Sequence, residues 1–95
     1  MRPYEMMVII DPELGDEGIQ AQKETLEAWI KEGGGEITEV DEWGRRKFAY
    51  PIKKRQEGYY VIYYFNADPA MTLALRKRIE LNKGILRHMI LRRDD

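Results

Sequence analysis

Met6, Val8 and Ile10 alternate along the first apolar run, with Met7 and Ile9 filling the places between them. The run ends at Asp11-Pro12, a turn-forming pair, so the pattern predicts a strand over 4–10. The period then lengthens. Ile19, Leu26 and Ile30, with Ala21, Ala28 and Trp29 alongside, mark the apolar side of a helix of about four turns. Asp16 is placed to cap its start and Gly33-Gly34-Gly35 to end it. A second strand begins near Glu36. Ile37 and Val40 lie three apart, which breaks simple alternation and predicts a bulge or twist.

That strand is expected to bend at Trp43-Gly44 and continue to Ile52, with a hairpin tip over Lys53–Gly58. Pro51 cannot donate a ladder hydrogen bond, so its strand belongs at a sheet edge. Tyr59–Asn66, rich in branched and aromatic residues, reads as a third strand. Asp68-Pro69 opens a second helix whose buried stripe is Met71, Leu75 and Ile79. Asn82-Lys83-Gly84 closes it before a fourth strand, Ile85–Leu91. The order is βαββαβ, an α+β ferredoxin-like pattern in which both helices cover one face of a four-stranded antiparallel sheet. A single domain over 1–95 is the expected organisation.

Two helices cover only one side, and a strand with a wet face should alternate. Here the strands are apolar on both sides. Met6, Val8, Ile10, Val61, Tyr63, Phe65, Leu86 and Ile90 are assigned to the helix side. Met7, Ile9, Tyr60, Ile62, Tyr64, Met89 and Leu91 are left as a second apolar surface, large enough to suit a partner. Central strands that simply tolerate apolar residues, or self-association, would also account for it.

Charge sharpens this picture. The net charge is −1, yet residues 1–42 carry three Lys/Arg against twelve Asp/Glu, and residues 43–95 carry thirteen against five. Such a split predicts one acidic and one basic region. The segment WGRRKFAYPIKK, Trp43–Lys54, sets five cations around aromatic and aliphatic residues, which suits a phosphate backbone or a partner chain. Arg45, Arg46, Lys47, Lys53, Lys54, Arg87, Arg92 and Arg93 are candidate phosphate contacts, with Arg2 on the first strand. Arg55 shares the hairpin cluster. Tyr50 and Tyr60 suit stacking on unpaired bases or packing on a protein.

Catalysis finds little support. The chain has no cysteine, and His88, the one histidine, lies on an apolar strand where a hydrogen-bonded core role is expected. No spaced metal ligands are present, and Gly33–Gly35 follows a helix instead of preceding one. No metal or cofactor is expected. No apolar run approaches the roughly 18 residues of a spanning helix, and the N-terminus does not read as a signal peptide.

Several segments resemble the bacterial family of small-subunit ribosomal protein number six. They are Met1-Arg2 with Tyr4-Glu5, then Gly44 through Lys53 (GRRKFAYPIK) followed by Gly58-Tyr59, and Leu86-Arg87-His88. Two departures stand out: Phe48 where the family usually has leucine, and an end at Asp94-Asp95 without the long tail through which other members make contacts. The resemblance implies a ferredoxin-like fold without catalytic activity. It also implies binding to small-subunit ribosomal RNA in the central domain, or platform, together with ribosomal protein number eighteen. By resemblance, Arg2, Arg45, Arg46, Arg87 and Arg92 are the leading RNA contacts, and Tyr50, Tyr60, Ile62 and Tyr64 the partner surface. A cytoplasmic protein, monomeric in isolation, is the expectation. From the residues alone, a dimeric enzyme enclosing substrate on the open sheet face and a small-ligand regulatory module remain alternatives.

Overall fold

A computed structural model describes residues 1–93; Asp94 and Asp95, where the tail was expected to be lacking, lie outside the described residues. The elements are β1 (Arg2–Ile10), a 3-10 turn (Pro12–Leu14), α1 (Gly15–Glu32), β2 (Glu36–Ile52), β3 (Arg55–Ala67), α2 (Pro69–Glu80) and β4 (Ile85–Arg92). All strand pairs are antiparallel, in the order β2-β3-β1-β4. This is the ferredoxin-like arrangement the pattern predicted.

The core lies between sheet and helices, as expected. Met6, Val8 and Ile10 of β1, Val61, Tyr63 and Phe65 of β3, and Ile90 of β4 meet Ile19, Leu26 and Ile30 of α1 and Leu75 and Ile79 of α2. Met71 is only half-buried, and Thr72 takes a buried place on α2, its hydroxyl donating to the Pro69 carbonyl (2.7 Å). Leu86 is a correction. A register shift between Ile9 and Ile10 sets Ile85 opposite Ile10 and into the core cluster, and leaves Leu86 buried outside it.

The caps differ from the reading in a consistent way. Pro12 opens a 3-10 turn, so helical geometry starts before Asp16, which lies exposed within the first turn of α1. Asp11 caps that 3-10 turn, its carboxylate accepting from the Glu13 amide at 3.0 Å, while α1 itself starts after Leu14 with no side-chain cap. Asp68 has the extended backbone of a cap but makes no side-chain cap hydrogen bond, and Pro69 begins α2 as predicted.

β2 is an outer strand, which accommodates Pro51. Its register against β3 shifts between Ile37 and Glu39, between Glu42 and Gly44, and again between Lys47 and Ile52. The first shift confirms the broken alternation at Ile37–Val40, and Thr38, the extra residue, donates its hydroxyl to the Tyr64 carbonyl (3.1 Å). The second is the expected bend; Gly44 has φ 79°, where a Cβ would be strained.

The tip is shorter than expected, because Ile52 pairs directly with Arg55 and leaves only Lys53 and Lys54 between the strands. Both lysines are left-handed, with φ 49° and 66°, a conformation costing L-residues about 1–2 kcal/mol each. Asn-Gly fits such a tip better. Replacing Lys53-Lys54 by Asn-Gly should stabilise the fold by about 1 kcal/mol after the greater freedom of glycine in the unfolded chain is counted, raising the melting temperature by about 4–8 °C. An unchanged or lowered melting temperature would contradict the strain.

Candidate nucleic-acid and partner interface

Strand register decides which side chains share the open face. Residues paired directly across a ladder lie on the same side, so Arg46, Gly58, Tyr60, Ile62, Tyr64, Met7, Ile9, Arg87 and Met89 face away from the helices. This face is less open than the sequence suggested. Ile9 is 2% exposed and Ile62 6%, although neither helix lies over them. The bulged hairpin brings its aromatic side chains onto this face, beside Ile9. Trp43, the extra residue at the second bulge, stacks on Tyr60 with ring centroids 6.1 Å apart, and Phe48 meets the same ring edge-on at 6.3 Å. Gly58 forms the floor: a Cβ there would run into Ile9 and the Phe48 ring.

The partner candidates divide accordingly. Tyr50 is 69% exposed and available. Tyr60 has Trp43 and Phe48 against its ring, so it supports the face more than it offers a stacking surface. Ile62 lies buried beneath its neighbours. Tyr64 is half-buried, with the Arg93 guanidinium 4.8 Å from its ring centroid. Exposed Met89 and Leu91 carry the apolar character that remains on β4.

The candidate cations also divide by face. Arg46 is exposed across from Gly58, and Arg87 is exposed across from Ile9. An open hollow lined by Lys47, Phe48, Tyr50, Ile52, Tyr60 and Arg87 brings the hairpin close to the start of β4. Lys53 and Lys54 are exposed at the hairpin tip. Arg92 ends β4, about 17 Å from Arg87 along the strand, and Arg93 follows it. Arg2 is exposed at the start of β1 near the same end, since Tyr4 pairs with Arg92. Arg93 also approaches Glu5 at 3.9 Å. The cations form a corner and a far end, not one continuous stripe.

Two arginines turn to the acidic helix side. Arg45 pairs with Glu57 at 3.3 Å and approaches Asp16 at 3.8 Å. Arg55 donates from Nε and Nη2 to the two oxygens of Asp11, at 3.0 and 3.2 Å, and its Nε lies 3.2 Å from Glu13. That hydrogen bonding holds the Asp11 carboxyl below the usual carboxylate range and raises the Arg55 guanidinium. Folding therefore interleaves part of the acidic and basic halves. The remaining separation runs along β2, with Glu36, Glu39, Asp41 and Glu42 before Gly44 and the cations after it.

A second polar set joins α1 to the hairpin. Lys23, nearly buried, meets Glu42 at 2.7 Å, and the Tyr59 hydroxyl donates to the same carboxylate at 2.8 Å. These two donors hold the Glu42 carboxyl low. The Tyr63 hydroxyl donates to the Lys23 carbonyl and to Glu27, both at 3.4 Å, and burial pushes its titration up. His88 was expected as a hydrogen-bonded core residue. It is half-buried on the helix side opposite Val8, and burial, then Arg76, lowers its proton affinity. No catalytic partner emerges from this placement.

Sequence reasoning missed the Trp43–Tyr60–Phe48 group and the Asp11–Arg55 pair. The first depends on bulges whose register is set by β3, and the second joins residues 44 positions apart.

The family profile described as ribosomal protein S6 matches residues 3–92. The small ribosomal subunit protein bS6 of Caldanaerobacter subterraneus subsp. tengcongensis is 45% identical over 95 residues, covering all of both chains. The protein of the same description from Paenarthrobacter aurescens is 44% identical over 95 residues, covering all of this chain and 94% of its own. Among solved structures, the crystal structure of 30S ribosomal protein S6 from Thermotoga maritima is similar at TM-score 0.93 and 36% identity, over 97% of this chain and 87% of that one.

Proposed function

Because the chain belongs to the ribosomal protein S6 family of the small ribosomal subunit, we propose that it binds small-subunit ribosomal RNA in the central domain together with ribosomal protein number eighteen. It is a structural ribosomal component and not an enzyme, and it works in the cytoplasm as part of the ribosome. The observation carrying the RNA reading is the corner where Lys47, Arg87 and an exposed Tyr50 line an open hollow, with Arg46 exposed on the open face across from Gly58. Arginine forks grip phosphate oxygens, and an exposed ring accepts an unpaired base or a partner side chain. Arg2, Arg92 and Arg93 extend the contact toward the far end of β4, and Lys53 and Lys54 toward the hairpin tip. The protein partner takes Tyr50, Tyr64 and the exposed Met89 and Leu91, with Tyr60 and Ile62 as their support. The acidic first half of β2 favours a basic partner.

The test is binding to a central-domain ribosomal RNA fragment across a salt series, with and without ribosomal protein number eighteen. Weak binding alone, strengthened by the partner, is expected, and log affinity should fall linearly with log salt by about 0.7–0.9 for each phosphate contact. Arg46→Ala should weaken binding more than Arg45→Ala, because Arg45 is engaged by Glu57 and Asp16. Salt-independent binding, or none even with the partner, would overturn the reading. Equal effects of the two alanine variants would overturn the assignment by face.

A further inference from the structure

Asp11 occupies an unusual junction. It directly follows β1, and its backbone amide donates to the Gly84 carbonyl at 2.9 Å, one residue before β4 begins. Its carboxylate holds the Glu13 amide and takes both hydrogen bonds of the Arg55 fork. Arg55 is the first residue of β3, immediately after the Lys53-Lys54 tip. Asp11 is 8% exposed, so the pair is partly withdrawn from water and its geometry is well enforced. The Asp11 side chain thus links the tip of the cationic hairpin to the end of β1, while the Asp11 backbone amide links β1 to the entry of β4. Arg87 stands two residues into β4.

Hairpin and β4 do not pair directly, since β1 lies between β3 and β4 in the sheet. The spacing between Lys47, Lys53 and Lys54 on one side and Arg87 on the other therefore rests on how the hairpin end is held. We infer that Asp11, through Arg55, is a positioning residue that sets the hairpin against β4 and so presents the cations of both segments to one RNA backbone. Arg55 itself is spent on this grip and does not contact RNA. The inference rests on the RNA-binding reading for its consequence, though not for the grip.

Charge makes the test decisive. Asp11→Asn removes a negative charge and keeps an oxygen for the Glu13 amide; Arg55→Gln removes a positive charge. If Arg55 were a phosphate contact and Asp11 its competitor, Asp11→Asn would tighten RNA binding and Arg55→Gln would weaken it. As a positioning pair, both must weaken it. If the correctly placed hairpin falls to roughly 10–30% of the population, affinity drops by about threefold to tenfold. The double variant should lose no more than either single one. The slope of log affinity against log salt should stay at the parent value, because no phosphate contact is lost. Arg55→Lys, which keeps the charge, should recover part of the affinity.

Binding is read with the same central-domain RNA fragment and partner protein, well below the melting temperature of every variant. Amide hydrogen exchange of the free protein supplies the second readout. Residues 45–58 should exchange faster in both single variants while the centre of β1 stays protected. Opposite effects on affinity, or unchanged exchange in the hairpin, would overturn the inference. Failure of the parent protein to bind RNA with its partner would instead overturn the RNA reading, and the exchange measurement would still decide the grip.

Discussion

Reversing Arg46 and Arg87 together to glutamate is expected to lower affinity for the central-domain RNA by about two orders of magnitude near physiological salt. On the proposed reading each reversal removes one counterion-releasing contact and adds a repulsion at the same place. The two side chains share the open face, Arg46 on β2 and Arg87 on β4. Both residues are exposed, and the fold should melt within about 0.5 kcal/mol of the parent. Lys77→Glu makes a suitable control, since that lysine is exposed on α2 across the molecule. A filter-binding or fluorescence titration decides the matter. If the double reversal changes affinity no more than Lys77→Glu does, the corner is not the RNA site.

Gly58→Val should be the most damaging single change at the hairpin. Its Cβ would collide with Ile9, which is almost wholly buried and has nowhere to go, and with the ring of Phe48. Phe48 is half-buried and can yield, so relief comes by lifting the hairpin aromatics off Tyr60. Overpacking of this kind costs about 1–3 kcal/mol, and each kcal/mol lowers the melting temperature of a chain this size by about 4–8 °C. Trp43 stacks on the same Tyr60 ring, so its fluorescence should shift with the loss of packing. Gly58→Ala should show a smaller effect of the same sign. A melting temperature equal to that of the parent would mean that the aromatic cover is looser than the structure shows.

Much of the architecture was legible because it is written in local periods. The two-residue alternation of Met6, Val8 and Ile10 and the four-residue spacing of Leu75 and Ile79 each state which side is buried without help from distant residues. Pro51 announced an outer strand through the absence of an amide hydrogen, and Gly44 announced a bend through its backbone freedom. The helix start misled, since Pro12 opens a 3-10 turn capped by Asp11 and leaves Asp16 inside the first turn of α1. Leu86 misled for a related reason: one inserted residue at the β1–β4 register reverses the side that alternation predicts.

The candidate site was legible in kind more than in placement. Arg45 and Arg46 are neighbours of identical chemistry, and only the pairing of β2 with β3 reveals that one turns to Asp16 and Glu57 and the other to the open face. The apolar second face was foreseen, but its partial closure depends on three register shifts whose sum bends the hairpin over Ile9. Such curvature belongs to a strand pair and not to any single segment.

The seventeen residues of β2 leave one long row of backbone amides and carbonyls on the sheet's flank. Between its irregularities the two longest regular stretches are 39–42 and 44–47, one densely negative and the other densely positive. A newcomer seeking to zip onto such a flank meets kinks every few residues and a ring nitrogen at Pro51 that offers no hydrogen, the devices by which proteins discourage fibril growth. This flank accordingly offers a second copy no long straight edge to extend.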